Sequence, residues 1–239
     1  MTNRILSLKG FHEFEAECQN LEMEISKWSK EKPEARFIHS SNGAEFAAYI
    51  ITTFYGDSPK YALYYRWHAW ALGLGTSSAE ILNTIKSIPK SNRYYGPMCV
   101  RSHSSIIDCN PIIGAQVPIS VGAAMREDGG LTICSFGDGA LSTGVVFECL
   151  NISSLLKLNI LFVIEDNKRA VSSLQEKYLS CAVSKVAECF GLPYVKTSST
   201  KSDEEIERLS EWLKKESTGS RIIHFVYNSA VKHCNAMQD

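Results

Sequence analysis

Two short apolar runs, each ended by a polar cluster, stand out in the pattern of hydrophobic and polar positions. Residues 131–136 form a run that stops at residues 137–139 (Gly-Asp-Gly), and residues 160–164 form a run that stops at residues 165–167 (Glu-Asp-Asn). Apolar runs of this length between turn residues are typical of buried strands in a parallel sheet. The segment between the runs carries apolar residues at helical spacing, which predicts a strand–helix–strand unit: Phe147, Leu150, Ile152, Leu155, Leu156 and Leu158.

Helices and one further strand are predicted elsewhere in the chain. Residues 11–28 alternate apolar and charged positions at helical spacing, which predicts an amphipathic helix on the outside of the domain or against a partner. An apolar helix is expected after residues 64–68, whereas residues 87–110 are expected to be irregular. The remaining pattern predicts helices at 46–54, 182–190 and 204–215 and a strand at 221–227. Strands that alternate with helices predict an α/β fold.

The two polar clusters are predicted to meet at one edge of the sheet. In strand–helix–strand units, ligands bind beyond the carboxyl ends of the strands, so Asp138 and Asn167 are expected to face one site. Mg²⁺ takes oxygen ligands, a few from the protein and the rest from phosphate or water. Glycine on both sides of Asp138 leaves the backbone open to a phosphate, and a helix after Gly139 would offer it unpaired N–H groups. The sequence therefore predicts a Mg²⁺–diphosphate site.

Composition narrows the class of protein. The 239 residues suffice for one α/β domain, residues 1–239, with a helical N-terminal extension at about 1–35. The net charge of −1 argues against nucleic acid or an anionic membrane as a partner. No apolar run reaches the ~18 residues of a membrane span and the start lacks a signal peptide's order, so a cytoplasmic location without a membrane partner is expected. The scattered cysteines form no C-x-x-C pair, which predicts reduced thiols.

The spacing of the two polar clusters resembles a known cofactor motif. Gly-Asp-Gly at 137–139 followed by Asp-Asn at 166–167 resembles the thiamine diphosphate motif, which runs from GDG to an asparagine. Residues between them further resemble the α subunit of the two-subunit 2-oxo acid dehydrogenases, the E1α family: Gly144, Phe147, Glu148, Asn151 and Leu158. The resemblance implies a three-layer α/β fold with a mainly parallel sheet, and thiamine diphosphate and Mg²⁺ as cofactors.

Further segments carry the same resemblance and imply cofactor contacts. Residues 64–68 (Tyr-Tyr-Arg-Trp-His) resemble the family's Y-R-x-H element, whose tyrosine and arginine hold the diphosphate. A guanidinium suits a phosphate as a two-pronged donor. Residues 110–118 (Asn-Pro-Ile-Ile-Gly-Ala-Gln-Val-Pro) resemble NG-x-VGAQ-x-P, which places an isoleucine against the aminopyrimidine. The implied cofactor contacts are Tyr65, Arg66, Ile113, Gly137, Asp138, Gly139, Ala140, Asn167 and Arg169.

The resemblance also implies metal ligands and proton carriers. Mg²⁺ would take the carboxylate of Asp138, the amide oxygen of Asn167 and the backbone carbonyl of Arg169. The implied proton carriers are His68, which could equally be a hydrogen-bonded structural histidine, then His103 in a loop beside the active site, and His233 in a loop over the cofactor. Departures from the family pattern occur at Ala44, Pro111 and Asn228.

The function that the resemblance implies is that of one half of an enzyme. Family members work with a β subunit that brings the cofactor-activating glutamate, in an α2β2 assembly. The substrate would be a small 2-oxo acid, which loses CO₂ and passes its fragment to a lipoyl carrier, or to a carbonyl or acyl-carrier substrate in a carboligation.

Two alternatives belong to other classes. One is a non-catalytic assembly or regulatory subunit with the same fold, which the departures at Ala44 and Pro111 would suit. The other is a nucleotide-binding Rossmann-like domain, for which the chain lacks a G-x-G-x-x-G after a first strand.

Overall fold

Six strands form one parallel sheet in this computed structural model, which describes residues 6–31, 38–87, 102–126, 128–198 and 200–227. A short antiparallel pair lies outside the sheet. In chain order the strands are β1 (Lys60–Tyr64), β2 (Ile106–Asn110), β3 (Thr132–Gly137), β4 (Ile160–Asp166), the separate pair β5 (Arg169–Ala170) and β6 (Ser173–Leu174), β7 (Tyr194–Lys196) and β8 (Arg221–Val226).

The strand order places a topological switch point near the centre of the sheet. The strands lie in the order β2-β1-β3-β4-β8-β7, and every neighbouring pair is parallel. The chain leaves β1 for β2 on one side and then crosses back to β3 on the other side. In open α/β sheets, ligands bind beyond the carboxyl ends of the strands at such a point. Tyr64 and Gly137 end the two strands there.

Helices cover both faces of the sheet in the described part of the chain. They are α1 (Leu8–Glu31), α2 (Glu45–Tyr55), α3 (His68–Gly73), α4 (Ser78–Ser87), α5 (Gln116–Ala124), α6 (Gly144–Leu155), α7 (Val183–Cys189) and α8 (Asp203–Lys215). One layer contains α1 to α4 together with α8, and the opposite layer contains α5, α6 and α7.

The first five residues of strand β4 show why a buried strand is a continuous apolar run. Leu161 and Val163 pack into the first helical layer, whereas Ile160, Phe162 and Ile164 pack into the second. All five side chains are buried. A strand covered on both faces cannot alternate apolar and polar residues, so it appears as a continuous apolar run. The expected three-layer α/β fold with a mainly parallel sheet is confirmed.

Most predicted elements are present with small differences at their ends. The predicted strands correspond to β3, β4 and β8, and the helices predicted at 11–28, 46–54, 182–190 and 204–215 correspond to α1, α2, α7 and α8. The apolar helix expected after residues 64–68 is α3. Strand β4 is longer than expected, because Glu165 and Asp166 continue the strand instead of forming a turn.

Helix α6 is the helix predicted between the two central strands, and only part of the apolar spacing that predicted it is buried. Its buried residues include Val146 and Leu150, whereas Phe147, Leu155 and Leu156 are exposed. The helix is apolar on both sides, so periodicity could not select the buried side. The helix also begins at Gly144 and not directly after Gly139, because a 3₁₀ turn (Asp138–Ser142) separates it from β3.

The expectation that residues 87–110 are irregular needs correction at its end. Residues 106–110 form β2, which among the described strands lies at the edge of the sheet and pairs with β1 alone. The strand is short and contains Asp108 and Asn110, so it lacks the continuous apolar pattern of a central strand. Residues 88–101 lie outside the described residues.

The N-terminal helix is part of the folded core. Phe11, Phe14, Leu21 and Ile25 of α1 are buried with residues of α2 and α3. This placement favours the interpretation of α1 as an outer helix of the domain. Within the residues described here, no helix is both long and apolar enough to span a membrane.

Candidate active site

A cavity of about 350 Å³ lies at the carboxyl ends of the central strands. It sits at the switch point between β1 and β3, where a ligand site is expected for this topology. The residues after β1, β3 and β4 contribute to its wall, as does the segment that follows β2. Every residue of the implied cofactor set lines this cavity: Tyr65, Arg66, Ile113, Gly137, Asp138, Gly139, Ala140, Asn167 and Arg169.

Asp138 lies at the end of β3 with its side chain almost entirely buried. Its Oδ2 accepts hydrogen bonds from Gln175 Nε2, at 2.8 Å, and from the hydroxyl of Tyr178. Burial raises the pKa of Asp138 to about 7, and the nearby carboxylate of Asp166 contributes to the rise. A buried carboxylate with a raised pKa gains from a positive charge beside it, so this position suits a bound cation.

Asp166 is the last residue of β4 and accepts hydrogen bonds at both carboxylate oxygens. Its Oδ2 lies 2.6 Å from Lys168 Nζ and 2.8 Å from His224 Nε2. Although burial opposes it, these bonds hold the pKa of Asp166 well below its usual range. Burial lowers the pKa of His224, while Asp166 acts in the opposite direction. Asp166 is thus a carboxylate held by donors from the loop after β4, from the 3₁₀ turn after β6 and from β8.

The donor set fits Mg²⁺ shared with a diphosphate better than a metal held by the protein alone. Among the residues that the structure describes, no three or more His, Cys, Asp or Glu side chains form a group able to hold a metal. Asp138, Asn167 and the backbone of Arg169 supply oxygen donors only, which is the preference of Mg²⁺. The amide oxygen of Asn167 accepts from the backbone N–H of Arg169, which holds the two residues together.

Glycine at position 139 keeps the backbone close to the neighbouring loop. A Cβ there would lie 3.1 Å from Cβ of Ala170, tighter than ordinary packing. A side chain would therefore press the loop that carries Asn167 and Arg169 away from Asp138. This close approach is a structural reason for glycine after the aspartate of the motif.

Another part of the cavity wall presents a guanidinium among aromatic rings. Arg66 donates from Nη1 to the backbone carbonyl of Ser40, and its guanidinium lies 5.6 Å from the ring centroid of Tyr65. The ring of Tyr65 packs in turn on His39, with centroids 4.3 Å apart. Arg66 and Tyr65 both line the cavity, so a buried positive charge and a phenol face it together. Such a surface suits an anionic group such as a phosphate.

Glu165 is a buried carboxyl that the sequence analysis did not select. It lines the cavity and accepts from the hydroxyl of Tyr64 and from Trp70 Nε1, each at 3.0 Å. Burial raises the pKa of Glu165 to about 8, and the two hydrogen bonds oppose the rise. Its position beside Asp166 at the end of a buried strand was the available signal.

Tyr227 also lines the cavity and was missed, although it directly follows β8. It packs against the loop at Gly43, where a Cβ would lie 2.5 Å from Cδ2 of the tyrosine ring. Gly43 has a φ of +93°, which a residue with a side chain rarely adopts. The loop is further held by the carboxylate of Glu45, which accepts from the N–H of Gly43 at 2.6 Å. Glycine at position 43 is therefore required by both space and backbone conformation.

The expectation that His68 carries protons at the reacting carbon is corrected by its position. The side chain is buried, does not line the cavity, and its Nδ1 lies 2.9 Å from Oε1 of Glu22. The same glutamate oxygen accepts from the N–H of Ser41 at 2.8 Å. The structure thus supports the structural alternative, in which His68 joins α1 to the loop before α2.

The expectation for His103 is corrected by the direction of β2. His103 precedes the strand, and its Nδ1 accepts from the N–H of Ser105. Because β2 runs parallel to β1, its amino end lies at the sheet edge opposite the cavity. At about 3.3 Å per residue, the strand separates the two edges by roughly 15 Å. His233 lies outside the described residues.

The apolar side of the cavity is open at its rim. Ile113 is 48% exposed, the neighbouring Ile112 is 68% exposed, and Val171 is 51% exposed, although all three line the cavity. Asn110 caps the turn that carries Ile112 and Ile113, because its side-chain oxygen accepts from the N–H of Ile112 at 3.0 Å. A ligand seated between Asp138 and Ile113 would therefore meet polar groups at one end and exposed apolar side chains at the other.

Comparisons with known proteins agree with this geometry. The chain is 31% identical over 172 residues to the pyruvate dehydrogenase E1 component subunit alpha of Porphyra purpurea, covering 66% of this chain and 50% of that protein. It is 30% identical over 175 residues to the alpha subunit of acetoin:2,6-dichlorophenolindophenol oxidoreductase of Cupriavidus necator, covering 69% of this chain and 52% of that protein. The chain spans about half the length of the curated relatives it matches.

A solved structure shares the fold of this chain, and a family model matches its sequence. Transketolase from Leishmania mexicana superposes on 90% of this chain and 36% of its own chain, with a TM-score of 0.64 at 12% identity, which shows a shared fold. The family model described as "Dehydrogenase E1 component" matches residues 16–201, a range that contains the cavity-lining motifs. The chain therefore belongs to the dehydrogenase E1 component family.

Proposed function

We propose that this chain is the alpha-like subunit of a two-subunit thiamine diphosphate enzyme that decarboxylates a 2-oxo acid. The observation that carries the proposal is the cavity at the switch point of the sheet, which all the cofactor residues implied by the sequence line together. Membership of the dehydrogenase E1 component family supports it independently. Residues 1–239 would form one diphosphate-binding unit that includes α1.

The residues around the cavity divide into an anion-binding side, a cation-binding side and an apolar side. Arg66 and Tyr65 would bind and orient the diphosphate, and Asp138, Asn167 and the carbonyl of Arg169 would hold Mg²⁺ against it. Ile113 would support the aminopyrimidine. When bound, thiamine diphosphate supplies a nucleophilic carbon and an electron sink for the decarboxylation of a 2-oxo acid.

The second half of the active site is proposed to come from a β subunit. The described cavity wall contains two carboxyls, Asp138 and Glu165, and both already accept hydrogen bonds from side chains of this chain. The glutamate that activates the cofactor is therefore proposed to come from the partner. The exposed apolar residues at the rim would be covered by that partner: Ile112, Ile113 and Val171. An α2β2 assembly is the arrangement proposed.

The fate of the substrate fragment divides the proposal into two reactions. Transfer to a lipoyl carrier would make the enzyme a dehydrogenase component, and addition to a carbonyl or acyl-carrier substrate would make it a carboligase. Incubation of the complete complex with a labelled 2-oxo acid, with and without a lipoyl domain or an aldehyde, distinguishes the two by the labelled product that forms.

The half-site proposal is tested by purifying the tagged chain from its own host in the presence of Mg²⁺ and thiamine diphosphate. Native mass spectrometry is expected to show this chain together with a second chain of thiamine-fold size and bound cofactor. A homo-oligomer of this chain without cofactor would contradict the proposal and favour a non-catalytic subunit.

A further inference from the structure

We propose that Gln175, held in place by Lys168, is a positioning residue that sets the orientation of the Asp138 carboxylate for a divalent cation. The inference rests on the proposed function, because it concerns the same cation–diphosphate site. Gln175 lies in the 3₁₀ turn after β6, outside the GDG-to-asparagine motif. Its role is visible only from the contacts that the fold creates.

The amide of Gln175 bridges two buried carboxylates. Its Nε2 donates to Oδ2 of Asp138 at 2.8 Å and to Oδ1 of Asp166 at 3.0 Å. A side-chain amide nitrogen carries two hydrogens, so both bonds can form at once. The amide thus ties the end of β3 to the end of β4 between two groups that would otherwise repel each other.

Lys168 fixes which end of that amide faces the carboxylates. Its Nζ donates to Oε1 of Gln175 at 3.0 Å and to Oδ2 of Asp166 at 2.6 Å. A backbone hydrogen bond also joins these two residues, since the N–H of Gln175 donates to the carbonyl of Lys168 at 3.0 Å. With a lysine on its oxygen, the amide can only present its N–H groups to Asp138 and Asp166.

The backbone of Lys168 is held in an uncommon conformation. Its φ is +62°, in the left-handed region that a residue with a side chain rarely adopts, and its N–H donates to Oδ1 of Asp166 at 2.8 Å. Backbone conformations of this kind persist when the surrounding contacts hold them, and they are found preferentially at functional sites. Lys168 stands between Asn167 and Arg169, which are both proposed ligands of the cation.

Tyr178 completes the support of Asp138. Its hydroxyl donates to the same Oδ2 that accepts from Gln175. Two donors on one oxygen fix the rotation of the carboxylate about its Cβ–Cγ bond. Hydrogen bonds of this kind to a metal-binding carboxylate orient it, and their loss typically weakens metal binding about 10- to 100-fold.

The test is a calorimetric titration of Mg²⁺ into the complex purified from its own host, at saturating thiamine diphosphate. The quantity measured is the Mg²⁺ concentration at half-saturation. Gln175→Ala is expected to raise the Mg²⁺ concentration at half-saturation about 10- to 100-fold. Tyr178→Phe and Lys168→Met are expected to shift it in the same direction. Glu176→Gln, at the exposed neighbouring position of the same turn, is the matched control and should leave the midpoint unchanged.

A separate readout distinguishes positioning from general loss of structure. The metal-free melting temperature of Gln175→Ala should stay near that of the wild type, and its affinity for thiamine diphosphate at saturating Mg²⁺ should change little. If Gln175→Ala does not fold, Lys168→Met carries the same test, because it removes the donor that fixes the orientation of the Gln175 amide.

The outcomes separate this inference from the proposed function. If the wild type binds thiamine diphosphate with Mg²⁺ but the variants have wild-type midpoints, the positioning role is overturned and the proposed function stands. A lower midpoint in Gln175→Ala would also overturn it, because Gln175 would then compete with the cation for Asp138. If the wild type itself does not bind cofactor with Mg²⁺, the proposed function and this inference both fail.

Discussion

At the residue scale, Arg66 shows how a single side chain is prepared to meet an anion. Its guanidinium is buried, rests beside the ring of Tyr65, and is anchored to the carbonyl of Ser40. An arginine that is already ordered loses little further freedom when a phosphate binds, so more of the charge-assisted interaction contributes to affinity.

Replacing this guanidinium should weaken cofactor binding. Arg66→Ala is expected to lower the affinity for thiamine diphosphate at saturating Mg²⁺ about 10- to 100-fold, the effect of losing about 1.5–3 kcal/mol of hydrogen bonding to a charged group. The measurement is calorimetric titration of the complex with cofactor. Arg126→Ala is the matched control, since Arg126 pairs with Asp128 and does not line the cavity. Equal affinities of both variants and the wild type would remove Arg66 from the site.

The raised pKa of Glu165 predicts that the free energy of unfolding depends on pH. Because its folded-state pKa is raised from the usual 4.5 to about 8, the folded protein keeps a proton in that pH range that the unfolded chain releases. The free energy of unfolding should therefore fall as pH rises from about 5 to about 8, by up to about 1.4 kcal/mol per pH unit for one proton.

Glu165→Gln removes this contribution and leaves the other titrating groups in place. Urea unfolding of both proteins across the range should show the variant gaining stability relative to the wild type with rising pH. Parallel stability profiles for the two proteins would show that Glu165 does not hold a proton in the folded state.

The sequence located residues that line the cavity, but it did not reveal the residues that support them. Asp138, Asn167 and Arg66 were identified because they follow buried strands or belong to a spaced motif. Gln175 and Tyr178 lie after β6 in a region without periodicity, and they reach Asp138 only through the folding of the loop. The sequence also did not show that His68 lies outside the cavity. Its nearness in sequence to Arg66 does not tell which side of α3 faces the cavity.

At the scale of elements, α1 connects the site to the rest of the first helical layer. Glu22 of α1 accepts from both His68 and the N–H of Ser41, next to the carbonyl of Ser40 that anchors Arg66. The amphipathic pattern predicted this helix and its extent closely. It could not distinguish a helix that binds a partner from one that packs on its own domain, because both need one apolar side.

The packing of α1 gives a stability prediction. Phe14→Ala should lower the free energy of unfolding by about 3–5 kcal/mol, the cost of removing a large buried side chain from a core. Met23→Ala in the same helix is the matched control, because Met23 is 61% exposed and should change stability little. Urea unfolding of the three proteins measures both effects. A loss below about 1 kcal/mol for Phe14→Ala would show that α1 is not part of the folded core.

At the scale of the whole molecule, the fold brings separated segments of the chain to one edge of the sheet. Parallel strands place all their carboxyl ends on the same side, so the ends of β1, β3 and β4 meet although they are far apart in sequence. The sequence predicted the α/β class from its alternating strands and helices. It predicted the edge of the sheet at which the cavity lies from the rule that ligands bind beyond the carboxyl ends of parallel strands. The strand order did not follow from sequence, since β2 was hidden by its polar residues and β1 was not recognised.

The exposed apolar residues support the proposal that this chain is one half of an assembly. Ile112, Ile113 and Val171 surround the cavity, and Phe147 and Leu155 of α6 are also exposed. Apolar side chains clustered around a ligand site commonly mark a surface that a partner covers. This is why the proposed enzyme is the complex and not the isolated chain.

The central claim is that Asp138 holds the cation that binds the cofactor. The direct measurement is calorimetric binding of thiamine diphosphate, with and without Mg²⁺, to the complexes containing the wild type, Asp138→Ala or the exposed control Asp128→Ala. The wild type and the control should bind only with Mg²⁺, whereas Asp138→Ala should lose Mg²⁺-dependent binding and keep its melting temperature. Wild-type Mg²⁺-dependent binding by a folded Asp138→Ala would contradict the account.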